Sequence, residues 1–413
     1  MIQAMYNGVS GLQAHKTLLD VISNNIANIN TIGFKSSRMN FREMLSQTIR
    51  AAGEAKSAGM GGTNPMQIGL GVGIGSIDVS QVQGSLVSTG KPTDVAVEGN
   101  GFVVLGDGQA KYYTRDGSFQ LDSNGNLVSA SSGMKVLGWT ADVITGLIDT
   151  TVPIAPTSGI RLPVGQLSVA RQTSNVQFGG SLDSRGGTFG AGIDLYDSLG
   201  VPHTVSLTFV KTANDGEWQW DAISPDAAGG ASVGTGLIQF DSLGRSLTAS
   251  GTLSLSLAAA NGAVNPIVAT MDFSGIKQLA GDTTLMPTSQ DGVSLGTLDS
   301  FSIDKTGVIS GVFTNGMSQH LGQLALALFS NPGGLSKAAD NLLVETSNSG
   351  LPQIRQPGAG SLGNLTAGFL ESSNVDLATE FANMIVAERG FQANSRIITT
   401  SDEILQELVQ LKR

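Results

Sequence analysis

The sequence predicts a mainly β fold with α-helical termini, in which nested, discontinuous domains stand on a coiled-coil-like pair of terminal helices. Three observations carry this. Apolar residues recur seven apart at both ends, the interior alternates with a period of two, and 55 glycines among 413 residues punctuate the strands.

At the C-terminal end Leu377, Met384, Phe391, Ile398 and Leu405 are spaced seven apart and all are apolar. At the companion positions Phe381, Glu388, Ser395, Asp402 and Val409, only the first and last are apolar. Such a stripe is coiled-coil-like and too narrow for a helix that packs into a globular core. The N-terminal end repeats the idea with Met5, Leu12, Leu19 and Ile26, filled out by Ile2, Val9, Ile22 and Ile29. Its register slips by one residue between Leu19 and Ile22. Gly33 reads as the helix stop, after turns weakened by asparagines at 24, 25, 28 and 30.

A lone helix with one thin stripe is marginal in water. The nine seam residues Met5, Leu12, Leu19, Ile26, Leu377, Met384, Phe391, Ile398 and Leu405 are therefore the candidate polymer contacts. The two ends are expected to pair with each other and with copies in neighbouring subunits, and to be ordered in a polymer but not in a monomer. The alternative on the same residues is an antiparallel helix pair that caps a monomer.

The interior reads as β. Val205, Leu207 and Phe209 alternate with Thr204, Ser206 and Thr208; Leu253, Leu255 and Leu257 alternate with serines; Trp218 and Trp220 share a face. Asn124-Gly125 marks a tight hairpin, and Asp241–Gly244 and Asp304–Gly307 mark further turns. Paired ends make the chain run out and back. The expected layout is a helical base of 1–32 with 376–413, a connecting segment of 33–75 with 364–375, an inner β domain of 76–145 with 288–363, and an outer β domain of 146–287. Residues 146–166, with three prolines, and 281–292 read as the crossings to the outer domain.

Composition narrows the function. The net charge of −10 and the absence of a basic block argue against nucleic acid and anionic membrane surfaces. No cysteine is present, so disulfides, thiolate metal sites and cysteine nucleophiles are excluded. No apolar run approaches the ~18 residues of a membrane span, and the start has no secretory signal pattern. Gly358–Gly363 matches G-x-G-x-x-G but lacks the strand before it and the helix after it that would aim N–H groups at a pyrophosphate. Gly84–Lys91 has five residues where a phosphate loop has four, and Asp122–Asn126 lacks the closing glutamate of a calcium loop. His15, His203 and His320 are scattered. No catalytic, cofactor-binding or metal residue is expected, and no enzyme. A secreted adhesive or carbohydrate-binding module, with Trp218 and Trp220 exposed, is the alternative from another class.

Several stretches resemble the bacterial flagellar axial family of rod, hook and hook-associated proteins. They are Ser10-Gly11-Leu12, Leu19–Asn28, Thr31–Lys35, Ser373–Leu377, Met384-Ile385 and Arg389–Asn394 at the ends, with Asp94–Phe102 and Thr114–Phe119 in the interior. The resemblance covers roughly the first 140 and last 125 residues. Tyr196–Gly200 followed by Pro202-His203 is similar to the outer-domain motif of hook proteins, whereas Phe41–Gly75 looks more like the distal rod, which stands as the runner-up. The resemblance implies a homopolymeric structural subunit at the extracellular hook, exported without a cleaved signal peptide through the flagellar export apparatus. It also implies partners in the hook cap, the distal rod and the hook–filament junction, with no cofactor. The rod-like stretch implies extra subunit contacts near the base that stiffen the tube.

Overall fold

The computed structural model describes residues 2–53, 62–142, 145–165, 170–230, 232–248, 250–257 and 262–410. Two helices, α1 (Ile2–Ala27) and α2 (Leu377–Gln410), are the long helices of the described chain, and between them the chain is β. No described helix is long and apolar enough to cross a membrane. Residues 54–61 of the rod-like stretch and 411–413 of the C-terminal seam lie outside the described residues.

Helix α1 stops at Ala27, short of the glycine read as its terminus. The asparagines end it. The Asn28 side chain donates to the Asn24 carbonyl (2.9 Å), and the Asn25 side chain turns away to pair with the backbone of Ser37 in both directions (2.8 and 2.9 Å). Gly33 serves another purpose. At φ +68° it lies where a Cβ would come within 2.7 Å of the Arg115 carbonyl carbon, so the chain passes tightly against the inner domain.

The inner unit is layered on both sides of one sheet. Within strand Phe102–Gly106, Val103 and Leu105 face one core while Phe102 and Val104 face another. Leu324 and Leu326 likewise face one core and Ala325 and Ala327 the other. The alternation of leucine with alanine thus marks a segment buried on both faces, the alanines sharing a core with Phe102, Trp139 and Phe329.

The outer unit is a sandwich of two four-stranded sheets. One orders its strands Ser250–Leu255, Ile267–Leu279, Asn175–Asp183, Met286–Gln290; the other runs from Thr188–Tyr196 through Pro202–Lys211 and Glu217–Ile223 to Ser232–Gln239. The entering strand Asn175–Asp183 and the leaving strand Met286–Gln290 are antiparallel neighbours, so both crossings sit at one edge. Trp218 and Trp220 are each 1% exposed in the core between the sheets. The adhesive reading, which required them at the surface, fails here.

The crossings differ from the expected ones. Residues 146–166 read as a linker because of their prolines, yet Ile154, Ile160 and Leu162 are buried in the inner cores. Backbone bonds from Leu127 to Ile160, Ile160 to Val136 and Leu162 to Gly125 hold this stretch along the sheet. Proline removes donors but leaves the carbonyls and the other N–H groups free to pair at a sheet edge. At the return, Met286–Gln290 belongs to the outer sheet.

Four turns share one device. In Asp122–Gly125, Asp197–Gly200, Asp241–Gly244 and Asp304–Gly307, the carboxylate accepts N–H groups two and four residues on, at 2.7–2.9 Å. Glycine follows at the fourth position with φ +74° to +81°. The Asn124-Gly125 hairpin and the Tyr196–His203 motif are two instances of this turn.

These bonds set a pH dependence. Hydrogen bonding to Asn126 holds the Asp122 carboxyl below its ordinary 3.8, and the Arg245 N–H does the same for Asp241. A carboxyl whose folded value is depressed stabilises the fold above its unfolded value and loses that contribution as pH falls through the folded one. Thermal midpoints are expected to be flat near about pH 5 and to fall below about pH 4. Asp241→Asn should flatten part of that fall in differential scanning calorimetry.

Candidate functional site

The base begins with the helix pair. Gly8 of α1 lies against Ile398 and Asn394 of α2, Gly11 against the Asn394 side chain, and Gly390 against the His15 ring. Asn25 donates to Glu380 at 3.1 Å. Numbers rising along α1 meet numbers falling along α2, so the helices are antiparallel. A Cβ on Gly11 would lie 2.7 Å from Asn394 Nδ2, and one on Gly390 would lie 2.5 Å from the His15 ring. The crossing is therefore made of small residues, with Gly8, Gly11, Ala14, Ile22 and Asn25 buried on α1 and Ala387 on α2.

Of the nine seam residues Ile398 packs into this crossing against Gly8, and none of the nine is fully buried. Met5, Leu12, Leu19, Ile26, Met384, Ile398 and Leu405 are half-buried, while Leu377 and Phe391 are exposed. Beyond them α2 leaves Phe381, Ile385, Val386, Ile397, Ile404 and Val409 uncovered, and α1 leaves Ile2, Tyr6 and Val9.

Two hairpins extend the base. Ser37–Glu43 pairs with Val72–Val79 beside α1, and Ser46–Arg50 pairs with Met66–Gly69 further out. The Ser10 hydroxyl accepts the Val72 N–H at 3.3 Å, and Asn7 donates to the Gly69 carbonyl at 3.4 Å, tying the outer hairpin's root to α1. Every residue of Ser46–Arg50 is exposed, and Met44, Leu45, Ile49, Met66 and Ile68 stand uncovered. A two-stranded hairpin is marginal alone in water.

A polar joint connects base to inner unit. Glu371, fully buried, accepts from Lys35 Nζ (2.6 Å) and the Gly84 N–H (2.8 Å) through one oxygen and faces Arg115 Nη1 (3.4 Å) with the other. Lys35 also donates to the Val82 carbonyl (2.9 Å), and Arg115 Nη2 to that of Gly99 (2.7 Å). Burial pushes the Lys35 ammonium and the Arg115 guanidinium below their ordinary values, and Glu371 pulls both back. Next to this cluster Asn374 donates to the carbonyls of Ser80 and Val82 (3.0 Å each) and accepts the Ser36 N–H (2.8 Å). Desolvation pushes the Glu380 carboxyl above its ordinary value.

Nothing in this arrangement resembles a reaction centre. No cluster of three or more metal-binding side chains occurs among the described residues. Against expectation the G-x-G-x-x-G stretch does follow a strand, Gln353–Arg355, but it leads into strand Asn364–Ala367 and no helix opens from it.

Comparison with known proteins bears on what the base is for. Four family models match along the chain: the flagella basal body rod protein at residues 5–35, the flagellar hook protein FlgE/F/G D1 domain at 96–179, the flagellar basal body protein FlaE D2 domain at 173–293, and the flagellar basal body rod FlgEFG protein C-terminal at 366–411. The flagellar hook protein FlgE of Borreliella burgdorferi is 40% identical, with all of both chains covered. The chain belongs to the flagellar hook protein family. The FlgE of Treponema pallidum is 38% identical, again over the whole of both chains. The crystal structure of Helicobacter pylori flagellar hook protein FlgE2 shares the fold at 15% identity and a TM-score of 0.51, over 69% of this chain and 100% of that one.

For this hook-family chain, the motif residues Asn25, Lys35, Arg115 and Asn374 turn out to be the polar fasteners of the base. Residue-by-residue reading missed that convergence because they lie far apart in sequence. Glu371 and Glu380 carried no signal of their own. The uncovered stripe through Phe381 and Ile385 is visible as an i, i+4 pair beside the heptad positions.

Proposed function

We propose that this chain is the structural, non-catalytic subunit of the flagellar hook, polymerising into a curved tube that passes torque from rod to filament as a universal joint. One observation carries the reading. The β units bury closed apolar cores, with Leu243, Leu247 and Leu351 among their exposed apolar residues, whereas the helix pair and base hairpins contribute to no such core and leave apolar side chains uncovered along both helices and both hairpins. Further copies of the chain are what cover it, and the nine seam residues form the rim of that contact. The role fits a division into a helical base, a hairpin collar, an inner β unit and an outer sandwich, with the crossings near 170–174 and 291–297.

Torque needs strong axial contact, supplied by the apolar base. Bending needs outer contacts that slide, supplied by β surfaces with few charges and no aromatic anchor to lock one register. The hairpin at Ser46–Gly69 adds contacts that stiffen the collar. The chain leaves the cell through the flagellar export apparatus, and it meets the hook cap, the distal rod and the junction proteins at the ends of the tube.

Two substitutions test this. Leu405→Ala should weaken each subunit contact by about 2 kcal/mol, which raises the critical concentration for polymerisation roughly thirtyfold. Ile385→Asp, placed on an exposed site, should leave thermal unfolding of the β units unchanged and abolish polymers in sedimentation. Normal assembly by both variants would refute the assignment of this surface.

A further inference from the structure

Beside the ion cluster lies a cavity of about 80 Å³, large enough for water or a small anion. Its wall includes Lys35, Arg115 and Lys337 together with Phe34, Phe102 and Leu342, and no carboxylate lines it among the described residues.

Charge does not balance there. Glu371 alone faces the two cations Lys35 and Arg115, and all three side chains are at most 7% exposed. Lys337 adds a third cation, its Nζ 5.2 Å from the centre of the Phe34 ring and 3.4 Å from the neutral Ser37 hydroxyl. The Arg115 Nε–H is buried with no acceptor, and the guanidinium carbon lies 5.2 Å from the Phe102 ring centre. Burial pushes Lys35 and Arg115 below their ordinary values, while Lys337 is exposed on its strand and is the solvent-facing cation of the three. A positive, partly desolvated pocket with a spare guanidinium donor is matched to an oxygen anion, which accepts charge-assisted hydrogen bonds from both cation types.

We propose that this cavity is an anion site that takes one carboxylate or phosphate group between Lys337 and Arg115. It stands where the chain leaving α1 meets the inner β unit, so an occupant would neutralise and brace that joint. The group has two possible sources: a small free anion, or a carboxylate side chain of a second copy of this acidic chain, which carries 33 acidic against 23 basic residues. The second source rests on the assembly reading above, and the first does not.

Thermal unfolding of the full chain, followed against sodium acetate and separately against inorganic phosphate, tests the site. Ionic strength is held with sodium chloride, so that screening is equal in every sample and chloride offers no oxygen acceptor. A free anion as occupant gives a saturable rise in the midpoint, with apparent affinity weakened roughly tenfold in Lys337→Gln. A carboxylate of a second copy gives no rise in dilute chain; Lys337→Gln then raises the critical concentration for polymerisation by a similar factor. A saturable rise that Lys337→Gln leaves unchanged overturns the proposal, as does the absence of both effects in a chain that polymerises. A chain that responds to acetate yet never polymerises keeps the site and sinks the assembly reading, and one that does neither sinks both.

Discussion

Replacing Glu371 by alanine should destabilise the joint between base and inner unit by about 3–5 kcal/mol, the usual cost of stranding buried charge. Glu371 is the only carboxylate within salt-bridge distance of Lys35 and Arg115 among the described residues. Without it two cations share a desolvated site and the Gly84 N–H loses its acceptor, whereas the Gly33 N–H keeps the backbone carbonyl of residue 371. Glu371→Gln separates charge from shape, since an amide can still accept from Gly84 and Lys35 but carries no charge. It is expected to lose most of the same stability in urea denaturation. Combining Glu371→Leu with Lys35→Met should cost less than the sum of the single changes, because removing both charges leaves less unpaired. Strict additivity would show that the cluster is not an electrostatic unit.

Trp220→Ala is the second large effect, expected at about 3–5 kcal/mol and confined to the outer sandwich. The indole fills space that glycines vacate: a Cβ on Gly236 would lie 2.7 Å from it and one on Gly251 2.6 Å. Phe273 packs against it at 5.6 Å between ring centres. With backbone on several sides, the void cannot be closed by a neighbouring side chain swinging in. Calorimetry of the variant should show an early transition for the outer sandwich and an unshifted one for the inner unit. A single cooperative transition moved as a whole would mean that the two units unfold together.

Much of the fold was legible because its signals are local. Alternation at Val205–Phe209 and Leu253–Leu257, and the Asp-x-x-Gly turns, depend on neighbours in sequence, and the sheets follow them. The prolines of 146–166 misled because composition reports missing donors and says nothing of the carbonyls that still pair. At the base, heptad spacing located the helices but not the small residues between them: Gly8 meets the seam residue Ile398, and Gly11 and Gly390 meet Asn394 and His15. Periodicity scores apolar side chains, and a crossing built on missing side chains gives it little to score. The joint through Glu371 was illegible for a different reason. Its partners stand 336 and 256 residues away in sequence, and only the folded chain sets them side by side.

The uncovered apolar base is proposed to be covered by copies of the same chain. Electron microscopy of the purified, concentrated protein tests it most directly. Curved tubes that disappear in Ile385→Asp are the predicted result; straight rods would favour the distal-rod reading. Dispersed particles at every concentration, with the helix pair intact, would mean that copies of this chain do not cover the base.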